Sequence, residues 1–285
     1  MNGAPMTSGG VGGFRTVLGL VCGAGLLLGG PAAAGPAAES RDSRTLTKAE
    51  QMTFLPLACP NGVYEPMAGT HCSKLNGYAK APGNVADFGL TSIAYGSFTK
   101  AGADQAYLSY FTMAEPHANN FGGGILFERS DSVWKLVRWY PGGQMDRCVA
   151  LPGGGTQKML CLSGYTAEGE NSSAVAVQAL PGAPDVLIRV EDARNEDASS
   201  SSGSGCGTVA SYKERVVSID SLKRSVQPGF FAESVVTYLT PREWYDGCKA
   251  RRLDNVKGEK ATVRYALKNG HVTFQSPIPI EPPSP

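Results

Sequence analysis

The chain is poor in the groups that most often carry chemistry. It has three histidines in 285 residues, and they lie far apart at His71, His117 and His271. There is no G-x-S-x-G elbow to mark a serine nucleophile, although the members of a Ser-His-Asp triad need not be neighbours in sequence. No two cysteines have C-x-x-C spacing, which removes the usual zinc and thioredoxin-type redox signatures. The glycine runs 122–124 and 153–155 lack the lysine and following helix of a phosphate loop. They read instead as loops between strands. No metal and no cofactor is expected. An excess of one charge is also missing: 26 Lys+Arg stand against 25 Asp+Glu, and no block of like charge exceeds two residues. Nucleic acid and anionic membrane surfaces are therefore poor partners.

Long apolar runs are nearly absent. One occupies residues 17–28, too short and too glycine-rich for a spanning helix. It follows Arg15, the only charge in residues 1–34, and precedes Ala32-Ala33-Ala34. A positive n-region, an apolar core and a small-residue cleavage site together make residues 1–34 a secretory signal peptide. Cys22 lies inside the apolar run, behind Val21 and ahead of more apolar chain, so lipid attachment is not expected. The mature chain is then secreted or periplasmic, with no membrane attachment after cleavage.

Six cysteines remain: Cys59, Cys72, Cys148, Cys161, Cys206 and Cys248. An even number behind a signal peptide implies disulfides, and six allow 15 pairings. The nearest-neighbour set, 59–72, 148–161 and 206–248, is favoured because each bridge closes a local unit.

What the sequence does contain is a succession of short β-branched and aromatic runs divided by Gly, Pro, Asp and Ser, the pattern of antiparallel strands. Residues 90–99, 105–111, 124–129 and 133–140 form the clearest set. In the last run strict alternation sets Trp134 and Leu136 on one face and Val137 and Trp139 on the other. Strands apolar on both faces suit packed sheets. A second set of four follows at an offset of about fifty residues, a period typical of propeller blades. A third, looser set ends in the hairpin around Asn269-Gly270, a type I′ signal. The expected fold is all-β and antiparallel. It consists of propeller-like repeated four-stranded units, forming a partial propeller or packed sheets, stapled by disulfides. The expected divisions are a polar segment with a stapled loop (35–83), two β units (84–196), a Ser/Gly linker or loop (197–205), a third β unit (206–276) and a Pro-rich tail (277–285). Residues 54–83 read as loops and short extended pieces, and Thr47 to Glu50 as a capping box starting a turn or two of helix. Residues 241–259 read as a polar excursion.

The first set resembles the blade repeat of FG-GAP or VCBS-type β-propellers. The residues that carry the resemblance are Ala94-Tyr95-Gly96-Ser97-Phe98, then Gly102 to Leu108, then Gly124 to Phe127 and Trp134 to Val137. The resemblance implies an extracellular binding or scaffold platform. The dense D-x-D-x-D-G calcium loop of that family is missing, with only Asp104 near its position, so calcium binding is not implied.

The candidate ligand site is the long loop 112–123 with the adjacent aromatic strand end: Glu115, His117, Asn119, Asn120, Trp139 and Tyr140. Flat rings beside a few polar groups suit a sugar or peptide. The favoured function is a non-enzymatic binding or scaffold module for an extracytoplasmic ligand, protein or glycan. One alternative is a secreted hydrolase in which His117 works with Glu115, Asp146 or Glu168. Another is an inhibitor of a secreted enzyme.

Overall fold

The computed structural model describes residues 41–65, 69–72, 74–78, 85–113, 115–116, 119–167, 170–191, 215–250 and 252–280. The signal segment, the 197–205 run, His117, Glu168, Cys206 and residues 281–285 of the tail lie outside them.

The chain is mostly antiparallel β. A two-residue strand β1 (Arg44–Thr45) leads into helix α1 (Lys48–Ala58). The helix starts where the capping box places it. The Thr47 hydroxyl accepts from the Glu50 amide at 3.3 Å, and the Glu50 carboxylate accepts from the Thr47 amide at 2.8 Å. These bonds satisfy donors that the first turn otherwise leaves unpaired. The helix runs eleven residues through a segment whose prolines and glycines suggested loops.

The first sheet follows the order β2 (Val63–Glu65), β3 (Gly69–Cys72), β4 (Val85–Gly96), β5 (Gln105–Phe111), β6 (Gly122–Ser130), β7 (Val133–Pro141), with β1 also on β4. The second is a meander of β8 (Cys148–Ala150), β9 (Lys158–Ala167), β10 (Glu170–Ala179) and β11 (Asp185–Glu191). The third is β12 (Val216–Arg224), β13 (Ala232–Tyr238), β14 (Glu259–Lys268) and β15 (His271–Gln275). Helix α2 (Pro241–Ala250) interrupts the last meander where a polar excursion was expected. It has its own capping box between Thr240 and Glu243.

Strand alternation assigns the layers. On β5, Ala106, Leu108 and Tyr110 pack with Phe54 of α1, while Tyr107 faces the other way, toward Met159 and Cys161 of β9. On β9, Leu160 and Leu162 face a third core shared with Val236 and Val263 of the last sheet. The far side of that sheet, at Val217, meets Cys248 of α2 and Leu253. The order is thus helix, three stacked sheets, helix, and both faces of the central sheet are buried. This accounts for strands that are apolar on both sides. A short N-terminal segment ties the layers. Arg44 pairs in the first sheet, Ser43 bonds Cys148 of the second, and Asp42 accepts from the Ala150 amide and from both forks of Arg224 in the third.

Disulfides join Cys59 to Cys72 and Cys148 to Cys161, as the spacing favoured. Cys148 and Cys161 face each other across β8 and β9. Cys248 is also disulfide-bonded.

Two sequence expectations are corrected. The glycines 122–124 begin β6 rather than forming a loop. The ring of Tyr107 lies over Gly124, where any Cβ would collide with it, and the Tyr107 hydroxyl donates to the Gly143 carbonyl. In β7 the register slips: Leu126 pairs with Arg138 but Phe127 with Leu136, leaving Val137 as a bulge. The extra residue resets the phase, so Trp139 joins Trp134 and Leu136 on the α1 side.

Candidate functional site

The structure places a groove of about 890 Å³ beside β7, the edge strand of the first sheet. Its far wall is the turn 76–78. Asn76 anchors that turn to the end of α1, its amide donating to the Ala58 carbonyl at 2.9 Å and its side chain to the Leu57 carbonyl at 3.0 Å. Gly77 takes a left-handed φ of 68°, which glycine adopts without a Cβ penalty. The Trp139 indole donates to the Asn76 carbonyl at 2.8 Å, and the Tyr78 ring leans on Trp139 at 5.1 Å. Leu57, Trp134, Leu136 and Val137 complete the apolar lining.

Behind Tyr78 sits Glu115, only 5% exposed. Its carboxyl accepts the Tyr78 hydroxyl, the Tyr110 hydroxyl at 2.9 Å and the Asn119 side chain at 2.7 Å. Burial, and then the bond to Glu115, push the Tyr78 phenol up to about 12 and that of Tyr110 higher still. Both phenols are therefore neutral donors at physiological pH. The network pins the loop after β5 against the sheet and links it to the groove wall.

The six residues singled out from sequence divide. Glu115, Asn119 and Trp139 belong to one connected cluster through Tyr78 and Tyr110. Trp139 is 8% exposed, so it is part of the core rather than an open rim. Tyr140 points to the opposite face, where its ring packs on Tyr107 at 5.8 Å and carries Arg138 at 5.4 Å. Asn120 reaches Gln144 and the Gly164 carbonyl, away from the groove lining. His117 lies outside the described residues. Among those residues, neither His71 nor His271 is hydrogen-bonded to a carboxylate, serine or thiol, and no group of three His, Cys, Asp or Glu converges. Asp146, named with His117 in the hydrolase alternative, accepts from the Thr91 hydroxyl at 2.5 Å.

Sequence reasoning set Arg138 beside the aromatic residues as a possible ligand contact, but missed the turn wall, Asn76 to Tyr78, and Lys135; both cations are exposed beside the groove. The Asn-Gly pair at 76–77 was an available turn signal. Two cations inside an aromatic strand were another. Comparison with known families, curated proteins and solved structures finds no match to this chain. Function is therefore inferred from its own geometry.

Proposed function

We propose that this protein is a non-enzymatic binding module of an extracytoplasmic compartment, and that its ligand docks in the groove between β7 and the 76–78 turn. The observation that carries this is the groove itself. It has an apolar lining at a sheet edge, it is walled by a turn fixed to α1, and two exposed cations stand beside it. Pockets of this size with a few placed polar groups are the usual small-ligand and peptide sites. The disulfides support the compartment, since such bonds persist where the redox poise is oxidising. No described helix is long and apolar enough to cross a membrane. Three antiparallel sheets stacked in chain order, the second and third of four strands each, support a propeller-like relation between the units and, with it, a platform role.

The test uses the Trp244→Phe variant, which leaves Trp134 and Trp139 as the only tryptophans. Panels of peptides and of oligosaccharides are titrated against its emission. A saturable change that disappears when Val137→Phe fills the groove, with the ligand recovered intact, is expected. Binding unaffected by Val137→Phe, or sustained conversion of the bound ligand, would overturn the proposal.

A further inference from the structure

We infer that the occupant of the groove is an extended polypeptide segment, added to β7 as a further strand, with acidic residues at alternate positions. This rests on the binding role proposed above and names its ligand class.

The first support is the strand edge. Among the described residues β7 pairs only with β6. The hairpin joining them turns through Asp131 and Ser132, both left-handed, and sets Ser130 opposite Val133. In a two-residue hairpin that closing pair is hydrogen-bonded, and the ladder then alternates. Lys135 therefore bonds inward to β6, while the N–H and C=O groups of Trp134 and Leu136 point to the open edge. Groups of this kind recruit an incoming strand.

The second support is side-chain alternation. Trp134, Leu136 and Trp139 face the α1 side, so Lys135 and Arg138 face the other. Neither cation forms an ion pair with a described residue. A strand laid along β7 directs alternate side chains to the two faces. One set meets Leu57 and Tyr78. The other runs past Lys135 and Arg138, two ladder positions apart because the bulge adds a residue between them. Carboxylates at i and i+2 of the incoming segment match that spacing.

The same residues argue against other occupants. A glycan needs open ring faces. Trp134 is already packed against Phe54 at 5.1 Å and carries Arg129 at 5.1 Å, and Trp139 is buried. A second copy of this chain, paired antiparallel about the centre of β7, sets Lys135 and Arg138 against cations. A lysine on an edge strand is a common guard against such self-pairing.

The test uses an eight-residue peptide alternating glutamate with valine and tyrosine. A second version carries lysine for glutamate, and a third is N-methylated at alternate amides. Binding is read by Trp emission in Trp244→Phe and by amide exchange. The acidic peptide is expected to bind saturably and to slow exchange of the Trp134 and Leu136 amides. Affinity falls with added salt. The lysine peptide, or the pair Lys135→Glu and Arg138→Glu, weakens binding by about tenfold or more. N-methylation on the pairing edge abolishes it. Binding of the N-methylated peptide equal to that of the unmethylated one would overturn strand addition while leaving the groove a binding site, as would an oligosaccharide that binds where the peptides do not. Self-association lost on Leu136→Pro would assign the edge to a second copy and overturn the proposal. If no probe of either class perturbs Trp134 or Trp139, the proposed function falls with it.

Discussion

Replacing Glu115 with alanine tests whether its three bonds are what hold the loop after β5. Tyr110 is fully buried, so its hydroxyl has no access to water once the carboxyl is gone. A stranded buried donor costs about 1–3 kcal/mol. Tyr78 and Asn119 are only partly buried and can rehydrate, so each loses only the net worth of its bond, about 0.5–1 kcal/mol. Together these give about 3 kcal/mol for Glu115→Ala, a large share of the ~5–15 kcal/mol that holds a typical domain together. The decisive measurement is a double-mutant cycle with Tyr110→Phe, followed by urea unfolding. In the phenylalanine background no hydroxyl is stranded, so Glu115→Ala should cost about 1–2 kcal/mol less than it does in the wild type. Glu115→Gln keeps an acceptor for one phenol and should fall between the two. A cost below about 1 kcal/mol for Glu115→Ala, with no coupling to Tyr110, would mean that the carboxyl is solvated and that the loop is held by something else.

The acid side of the stability profile should be set in part by Glu50. The Arg44 guanidinium, with bonds from Thr47 and Tyr95 and against the opposing effect of burial, lowers its carboxyl to about 2. A depressed folded-state pKa gives stability that is present above the unfolded value near 4.5 and lost as pH falls toward about 2. The gap in unfolding free energy between wild type and Glu50→Gln, from urea titration, should therefore be about 1 kcal/mol at neutral pH and close by pH 2. Tyr78 acts in the opposite sense. Its raised pKa gives stability that is complete below pH 10 and lost as pH rises through about 12, and Tyr78→Phe should remove that alkaline loss. Gly124→Ala forces a methyl into the Tyr107 ring and should cost about 2–3 kcal/mol. Gly154→Ala, which meets nothing within 4 Å, should change the thermal midpoint little. Asp42→Ala releases the Arg224 fork and the Ala150 amide. It should lower stability by about 1–2 kcal/mol, most visibly as faster hydrogen exchange at the junction of the second and third sheets.

Strand existence was legible because Val, Ile, Tyr and Trp runs bracketed by Gly, Asp and Asn carry both the propensity and the turn chemistry. The runs at 105–111 and 133–140 lie within a residue of the observed strands, and the hairpin expected around Asn269-Gly270 joins β14 to β15. The expectation of packed sheets holds, since the central sheet has both faces covered, but the strand it was read from, β7, lies in the first sheet and has its tryptophans on one face. Phase was not legible. Alternation counted through Val137 puts Trp139 on the wrong face, because a bulge is a tertiary event with no residue signal of its own. The start of α1 was legible in its capping box, but its length and the whole of α2 were not. In α1 a proline at 56 and the glycines after it outweighed a weakly amphipathic pattern, and α2 is short and mostly polar, with Trp244, Gly247 and Cys248 on its inner side. The candidate site was half visible. Glu115 and Trp139 were identified, but the groove needs residues 76–78 and 134–141 side by side, and that is a property of the fold rather than of either segment.

Stacking also explains why an edge, rather than a face, is left for recognition. Three sheets between two helices bury the sheet faces against one another, so docking is driven toward strand edges. The outer edge of β8 is already taken, since Ser43 and Asp42 bond Cys148 and Ala150. The edge strand β12 is broken by two register shifts and packs on the second sheet, its Ile219 amide reaching Ser173. The edge of β7 differs in having a fixed wall opposite and two cations on one face. Its single bulge has two effects. It brings Trp139 into the core, which makes the floor rigid, and it puts Arg138 on the same side as Lys135. Were Val137 paired in regular alternation instead of bulged, the two cations would lie on opposite faces, and no single extended segment could meet both.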